Sequence, residues 1–340
     1  MKILMLSGDS GVLDPKSETG KRMKEYRQTL GTLDVLLAYG NIFRFVGAFF
    51  AGLGMLWRRK YDVITAQDVE HSLLAWIFSL FLKTPWQMQI HADIMSPYFR
   101  RESFKNKIRV ALVKFLVPRA DCVRVVSNRI KRSLIKLNKN LNKPDKITVL
   151  PIFVDTEEIK NAPIKTDLHK KYPGRFIILM ASRITKEKNI GLAIEEVKRL
   201  ITHPLLLVVG DGPEIENLKF KIYKMRLNDN VIFEPRTDDI ISYFKTCDLF
   251  LLTSNYEGYG RTLVEAAAAG AKIISSDVGI APEILNRDNI FKVGDKNDLA
   301  EKLSSALNQK LPPPKPLIPQ TKDEYLKLYK SSFEACAHKK

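Results

Sequence analysis

Apolar residues fall in short unbroken runs along most of the chain. They lie at 2–6, 35–38, 63–66, 86–90, 122–126 and 147–151 in the first half. In the second half they lie at 176–181, 205–210, 231–234, 249–253, 272–275 and 290–292. Most runs do not alternate apolar with polar, which is the pattern of parallel strands covered on both faces. Stretches of helical length with one apolar face lie between them. This alternation predicts an α/β fold of doubly wound parallel sheets. Twelve strands are too many for one such sheet, so they divide six and six.

The stretch 155–174 is polar and carries Pro163, Pro173 and Gly174, the composition of a linker. A proline-rich stretch at 311–316 predicts a stiff spacer. Beyond it, 321–337 predicts one last helix with Tyr325, Leu328, Tyr329 and Phe333 on a face, expected to dock back on the first domain. The expected organisation is therefore 1–160, 161–311 and a spacer with tail helix at 312–340. No repeat with a period of 20–50 residues is visible.

Composition adds a class and a location. The 340 residues are 45% hydrophobic and 27% charged, enough for full cores. The longest stretch without charge, 45–57, is shorter than the roughly 20 residues a membrane-spanning helix needs. The N-terminus reads as a buried strand and not as a signal peptide. Three scattered cysteines fit neither a disulfide framework nor a zinc site, and point to a reducing cytoplasm. The net charge of +17 is lopsided: residues 1–150 carry 26 Lys and Arg against 12 Asp and Glu. A one-sided basic field attracts a polyanion or an anionic membrane surface; the plainer alternative is a solvated face that serves only solubility.

The densest chemical signal follows the buried run at 249–252. Gly258 and Gly260 sit in a strand-to-helix turn, and the predicted helix runs from about Arg261 to Ala269 and stops at Gly270. Such a turn offers unpaired N–H groups and a helix dipole to an anion, and glycine admits a phosphate closely. Glu257 and Glu265 flank the turn. Beside a phosphate a carboxylate needs another partner, and sugar or ribose hydroxyls suit it. Arg183 and Lys188 follow the strand at 176–181, at the edge where open α/β sheets bind ligands. Together they can hold a diphosphate. Gly210 and Gly212, in Gly-Asp-Gly-Pro after the run at 205–209, form another turn at that edge and would wall a base or ribose. Either segment alone is a common loop.

With these pieces in this order, the second half resembles the donor domain of retaining glycosyltransferases of family 4, which have the GT-B fold. The matching residues are Ala181-Ser-Arg-Ile with Glu187-Lys188, Gly210-Asp-Gly-Pro-Glu214, Glu257-Gly-Tyr-Gly-Arg-Thr-Leu-Val-Glu265 and Ser276-Asp-Val-Gly-Ile-Ala-Pro-Glu283. The resemblance implies two Rossmann-like domains facing a central cleft, with the C-terminal helix crossing back to the first. It implies that Glu257 faces the transferred sugar, Glu265 holds the ribose and the backbone of Gly258, Tyr259, Gly260, Arg261 and Thr262 meets the phosphates. Arg183 and Lys188 would neutralise them. His91 would approach the sugar from the first domain. A lone histidine after a strand is otherwise a structural hydrogen-bonder, and Asp93 either orients it or caps the next turn. Gly8 and Gly11 stand where the family carries a glycine-rich acceptor-side loop; Arg261 and Ile280 depart from the family pattern. The implied donor is a UDP- or GDP-sugar as substrate, with no cofactor and no metal: neither a DxD nor a cluster with metal-ligand spacing is present.

Two first-half stretches suggest a membrane. Residues 41–60 are apolar with a basic end, and 98–119 interleave Arg and Lys with Phe, Ile, Val and Leu. Basic amphipathic helices lie well on anionic lipid; the plainer alternative packs both apolar faces on the first sheet. With lipid contact the acceptor would be a lipid-linked or cell-envelope glycan, the enzyme peripheral on the inner face of the membrane. The competing readings are a same-fold enzyme with a soluble acceptor, a sugar-nucleotide epimerase, and a basic nucleic-acid-binding protein. No nucleic-acid motif is present, so no nucleic-acid partner is expected.

Overall fold

The computed structural model describes residues 1–38, 40, 42–137, 144–200, 202–308 and 311–339. Residue 41, which opens the first apolar-basic stretch, lies outside them. The chain forms two units, Met1–Ile152 with Thr321–Lys340, and Phe153–Gln320.

The first unit holds strands β1 (Lys2–Ser7), β2 (Thr32–Leu37), β3 (Val63–Ala66), β4 (Trp86–Ile90), β5 (Cys122–Val125) and β6 (Ile147–Val149). All pairings are parallel, in the order β2-β1-β3-β4-β5-β6. The second unit holds β7 (Ile177–Ala181), β8 (Leu205–Val209), β9 (Val231–Glu234), β10 (Leu249–Leu252), β11 (Ile273–Ser276) and β12 (Ile290–Phe291), in the order β12-β11-β10-β7-β8-β9. Strands β3, β4, β5, β7, β8, β10 and β11 are buried at every position, as expected of sheets covered on both faces. All twelve expected strands are present, with ends differing by a few residues. Strand β2 starts three residues early. It lies at the sheet edge, where Asp34 is tolerated because Arg59 Nη1 (2.8 Å) and the Tyr61 hydroxyl (2.7 Å) donate to it.

The first unit's helices are α1 (Glu18–Leu30), α2 (Ile42–Arg58), α3 (Val69–Leu82), α4 (Pro97–Glu102), α5 (Phe104–Leu116) and α6 (Asn128–Leu137). Those of the second are α7 (Thr156–Asn161), α8 (Leu168–Lys171), α9 (Ile190–Lys198), α10 (Ile215–Met225), α11 (Ile240–Thr246), α12 (Arg261–Ala268), α13 (Ala281–Ile284) and α14 (Lys296–Leu307). The stretch 155–174 is not a free linker. Helix α7 packs on α12, and the N–H groups of Lys165 and Leu168 donate to Ser242 and Thr246 of α11. This places the division at 152/153, before the expected 160.

The proline-rich segment is fastened to the second unit as well. Asn289 and Asn286 side chains donate to the carbonyls of Pro312 and Pro313 (both 2.9 Å), and the Lys315 N–H donates to Ile284 O. Helix α15 (Lys322–Ala337) then joins the first unit. Thr321 and Glu324 form a capping box at its start. Tyr325, Tyr329, Phe333 and Cys336 are its buried stripe, while Leu328, expected on that face, is half exposed. The docking is also polar. Arg124, 3% exposed, donates to Gln89 Oε1 and the Tyr325 hydroxyl, and the Gln87 amide donates to Ser332 O. A buried guanidinium is tolerable only when paired in this way.

Candidate functional site

In the second sheet β7 and β10 are neighbours, and the chain winds away from them in opposite directions. Their C-terminal ends form the topological switch point, where open α/β sheets bind ligands. The loops leaving these two strands, with helix α12, carry most of the expected site residues.

The two loops are stitched together. The Asn255 N–H donates to Glu187 O (2.7 Å), the Thr253 hydroxyl to Lys188 O (2.9 Å), and the Asn189 amide to Asn255 Oδ1 (3.2 Å). Lys188 Nζ donates to Glu257 Oε1 at 2.5 Å, and the Ser254 hydroxyl reaches the same oxygen at 2.8 Å. Both charged side chains are 14% exposed. Glu257 is therefore held from two sides. Ser254, Asn189 and Asn255 were not singled out in the sequence; their one signal is a run of polar residues directly after an apolar strand.

Helix α12 begins at Gly260, in the left-handed region at φ +90°, and no side chain caps it. Such a start offers the Arg261 and Thr262 N–H groups to an anion, while the Leu263 N–H donates to Gly260 O (3.0 Å). Tyr259 is buried, and its carbonyl accepts from the Ile280 N–H (2.8 Å), so the turn after β11 braces the turn before α12. Gly258 is buried in that turn and Thr262 is half-buried on the first turn of α12. Arg261 Nε donates to Glu265 Oε1 (2.7 Å) one helical turn on. Burial pushes the Glu265 carboxyl pKa up, outweighing Arg261. Arg183 stands apart: its side chain is 78% exposed and, among the described residues, its one ion-pair partner is Glu187, at 3.4 Å. The structure brings Lys188, Glu257 and the α12 terminus together, and leaves Arg183 at the solvent rim.

Gly210 and Gly212 have a backbone role. A Cβ at Gly210 would lie 2.0 Å from Ser182 O, and one at Gly212 would lie 2.2 Å from Ile184 O. Only glycine lets the loop after β8 pass under the loop after β7, where the Ile184 N–H donates to Asp211 O (2.8 Å). Nearby, Glu234 at the end of β9 accepts from Lys171 (2.6 Å), Tyr172 (2.5 Å) and Tyr243 (2.6 Å), which fixes the strand end that bonds Gly210.

The first unit has its own switch point, between β1 and β3. Gly8 and Gly11 follow β1. The Asp9 side chain accepts from the Gly11 N–H (2.8 Å) and the Thr19 hydroxyl (3.0 Å), closing that loop on itself. A Cβ at Gly8 would lie 3.0 Å from His71 Cε1. His71 Nδ1 is 2.5 Å from Asp68 Oδ1 and Nε2 is 2.6 Å from Ala38 O. Burial opposes charge on this ring, but the Asp68 carboxylate and the Ala38 carbonyl outweigh it and raise its pKa. This pair was not among the expected site residues; its signal in the sequence is Asp-x-x-His at a helix start.

His91 follows β4 and reaches solvent. The protein around the ring and the charges of Arg124 and Arg22 lower its pKa below the ordinary histidine value, against the solvent that reaches it. Asp93 is buried, which raises its pKa, and its Oδ1 has no hydrogen-bond partner among the described residues. Among the described residues no hydrogen bond joins it to His91.

Comparison with known proteins agrees with this architecture. Residues 22–152 match the family model "Glycosyl transferase 4-like domain", and residues 163–323 match "Glycosyl transferases group 1". The N-acetyl-alpha-D-glucosaminyl L-malate synthase of Bacillus anthracis is 30% identical over 199 residues, 56% of this chain and 51% of that protein. The UDP-Gal:alpha-D-GlcNAc-diphosphoundecaprenol alpha-1,3-galactosyltransferase of Escherichia coli is 27% identical over 237 residues, 66% of this chain and 60% of that one. The chain thus spans about half the length of the first of these relatives. Among solved structures, Anabaena HepE in complex with UDP-glucose superposes with a TM-score of 0.70 at 20% identity, covering 99% of this chain and 94% of that one. With its two halves matched by these two models and two parallel six-stranded α/β sheets of GT-B type, the chain belongs to the family 4 type of GT-B glycosyltransferases.

Proposed function

We propose that the protein transfers a sugar from a UDP- or GDP-sugar, with retention and without a metal ion, to a lipid-linked or cell-envelope glycan acceptor. The net step joins an acceptor hydroxyl oxygen to the anomeric carbon and releases the nucleoside diphosphate and a proton. Negative charge gathers on the departing diphosphate, where fixed cations and an uncapped helix start stabilise it. Lys188 and the first N–H groups of α12 meet the diphosphate, Arg183 closes on it from the rim, and Glu265 takes the ribose hydroxyls. Glu257 faces the sugar, and neutral His91 hydrogen-bonds it from the acceptor side. The observation that carries this reading is the Lys188–Glu257 contact at the mouth of an uncapped helix, on adjacent strand ends.

The acceptor side draws on the first unit. Phe43, Phe50 and Trp57 of α2 recur every seven residues and are 79%, 66% and 93% exposed, with Arg58 and Arg59 at the helix end. An aromatic stripe ending in cations suits a peripheral position on an anionic membrane. Among the described residues no helix is long and apolar enough to cross one. The E. coli relative is named for a diphosphoundecaprenol acceptor, and HepE was solved with UDP-glucose; both support the reading. Hydrolysis of UDP-, GDP- and ADP-sugars tests it: a clear preference for one donor is expected, and hydrolysis of none would reject it.

A further inference from the structure

A cavity of about 360 Å³ lies in the first unit, between the loop after β4 and helices α4 and α5. This volume falls in the roughly 300–1,000 Å³ of small-molecule sites. Met95, Pro97 and Val110 supply apolar wall, and Arg100, Arg101, Lys107 and Lys114 line the rest. Among the described residues no carboxylate lines it. The nearby acids are engaged elsewhere: Glu102 accepts from the Asn106 amide (3.2 Å), and Glu70 is paired with Arg109 (2.7 Å). None of the four lining cations has an ion-pair partner among the described residues. Four like charges around one cavity repel one another unless an anion sits among them, and mixed Arg and Lys suit phosphate oxygens.

The helix that carries two of these cations has an apolar stripe beside them. Phe104, Ile108 and Phe115 lie on one line along α5 and are 76%, 47% and 38% exposed. Lys107 and Lys114 run alongside on the neighbouring line, given 3.6 residues per turn. Phe115 also meets the Trp76 ring of α3 edge-on at 5.0 Å, and α3 ends in exposed Leu80 and Phe81. A cationic cavity opening beside an apolar strip matches a molecule with a phosphate head and a hydrocarbon tail.

We infer that this cavity binds the phosphate or diphosphate head of a lipid, with the tail along the outer face of α5. The inference deepens the acceptor half of the reading above and rests on it. Met95 is four residues from His91, a chain reach of at most roughly 14 Å, so a bound head would lie on the same sheet edge as His91.

Calorimetry in saturating UDP, which occupies the donor site, tests this with farnesyl diphosphate, inorganic pyrophosphate and farnesol. Farnesyl diphosphate should bind about tenfold or more tighter than either of the others, since it alone uses both charge and tail. The double variant Arg101→Gln with Lys107→Gln should lose about tenfold or more of that affinity. Lys114→Gln alone should weaken it in the same direction. All three side chains are exposed, and unchanged UDP affinity verifies the fold. Pyrophosphate binding as tightly as farnesyl diphosphate would make this a free-phosphate site and overturn the lipid assignment. Equal binding of farnesol, or variants that bind as the native protein does, would remove the site altogether. Should UDP fail to bind while farnesyl diphosphate binds as expected, the donor reading falls and the cavity stands.

Discussion

Lys188 Nζ lies 2.5 Å from Glu257 Oε1, although 69 residues separate the two in the chain. Parallel pairing of β7 with β10 brings them together, because each follows its strand at the same sheet edge. The contact joins the cation expected for a diphosphate to the carboxylate expected for a sugar. A donor spanning both groups would share or replace this pair.

Glu257→Gln tests the carboxylate. It removes the charge while keeping the side chain's size, so transfer should fall by about a hundredfold or more, the scale of losing one group that stabilises developing charge. UDP affinity should stay level or rise, because Lys188 loses its internal partner. Full transfer activity in this variant would remove Glu257 from the reaction.

Gly210→Ala tests the packing beneath the site. The new Cβ would meet Ser182 O at 2.0 Å with the backbone at φ +145°. Overpacking of this kind costs about 1–3 kcal/mol, and the loop holding Arg183 would move with it. Thermal unfolding should show a clear drop, and an unchanged melting temperature would contradict the geometry.

The His71–Asp68 pair sets a pH dependence. The folded pKa of His71 is raised above its unfolded value, so its contribution is complete below about pH 6.5 and is lost as pH rises through the folded pKa. Asp68 is depressed by His71 against the effect of its own burial, with Arg109 adding to the shift, so its part is lost only as pH falls through its folded pKa. Glu70, the other charge acting on the ring, favours the imidazolium. The native protein should lose melting temperature as pH rises above about 6.5, and His71→Gln should flatten that slope. An identical slope in both would contradict the assignment.

The α2 stripe is tested by flotation with phosphatidylglycerol vesicles. Binding should weaken as salt rises, because screening shortens the reach of the basic residues. Phe50→Ser with Trp57→Ser should largely abolish it. Flotation that is indifferent to both lipid charge and these residues would reject the membrane contact.

Much of the fold was legible because buried parallel strands are continuous apolar runs, and all twelve announced themselves. Asp34 hid the start of β2, since an edge strand accepts a polar residue when Arg59 and Tyr61 reach it. The polar stretch 155–174 read as a linker because composition does not reveal that its N–H groups find Ser242 and Thr246. In the site, Glu257 and Lys188 were legible through glycines and charge at strand ends. The solvent-facing posture of Arg183 was not, since loop position does not fix where a long side chain points. The roles of Gly210 and Gly212 were hidden for a related reason: the turn was visible, but the backbone pressed against it, at Ser182 and Ile184, belongs to the loop after β7.

We propose that the second unit grips a diphosphate chiefly through Lys188 and the start of α12. Titration calorimetry of UDP and GDP against native protein, Lys188→Ala and Arg183→Ala addresses it directly. A charge-assisted bond contributes about 1.5–3 kcal/mol, so Lys188→Ala should weaken nucleotide binding by roughly 10- to 100-fold and the exposed Arg183→Ala by less. Equal affinity in all three proteins, or no affinity for either nucleotide, would contradict the account.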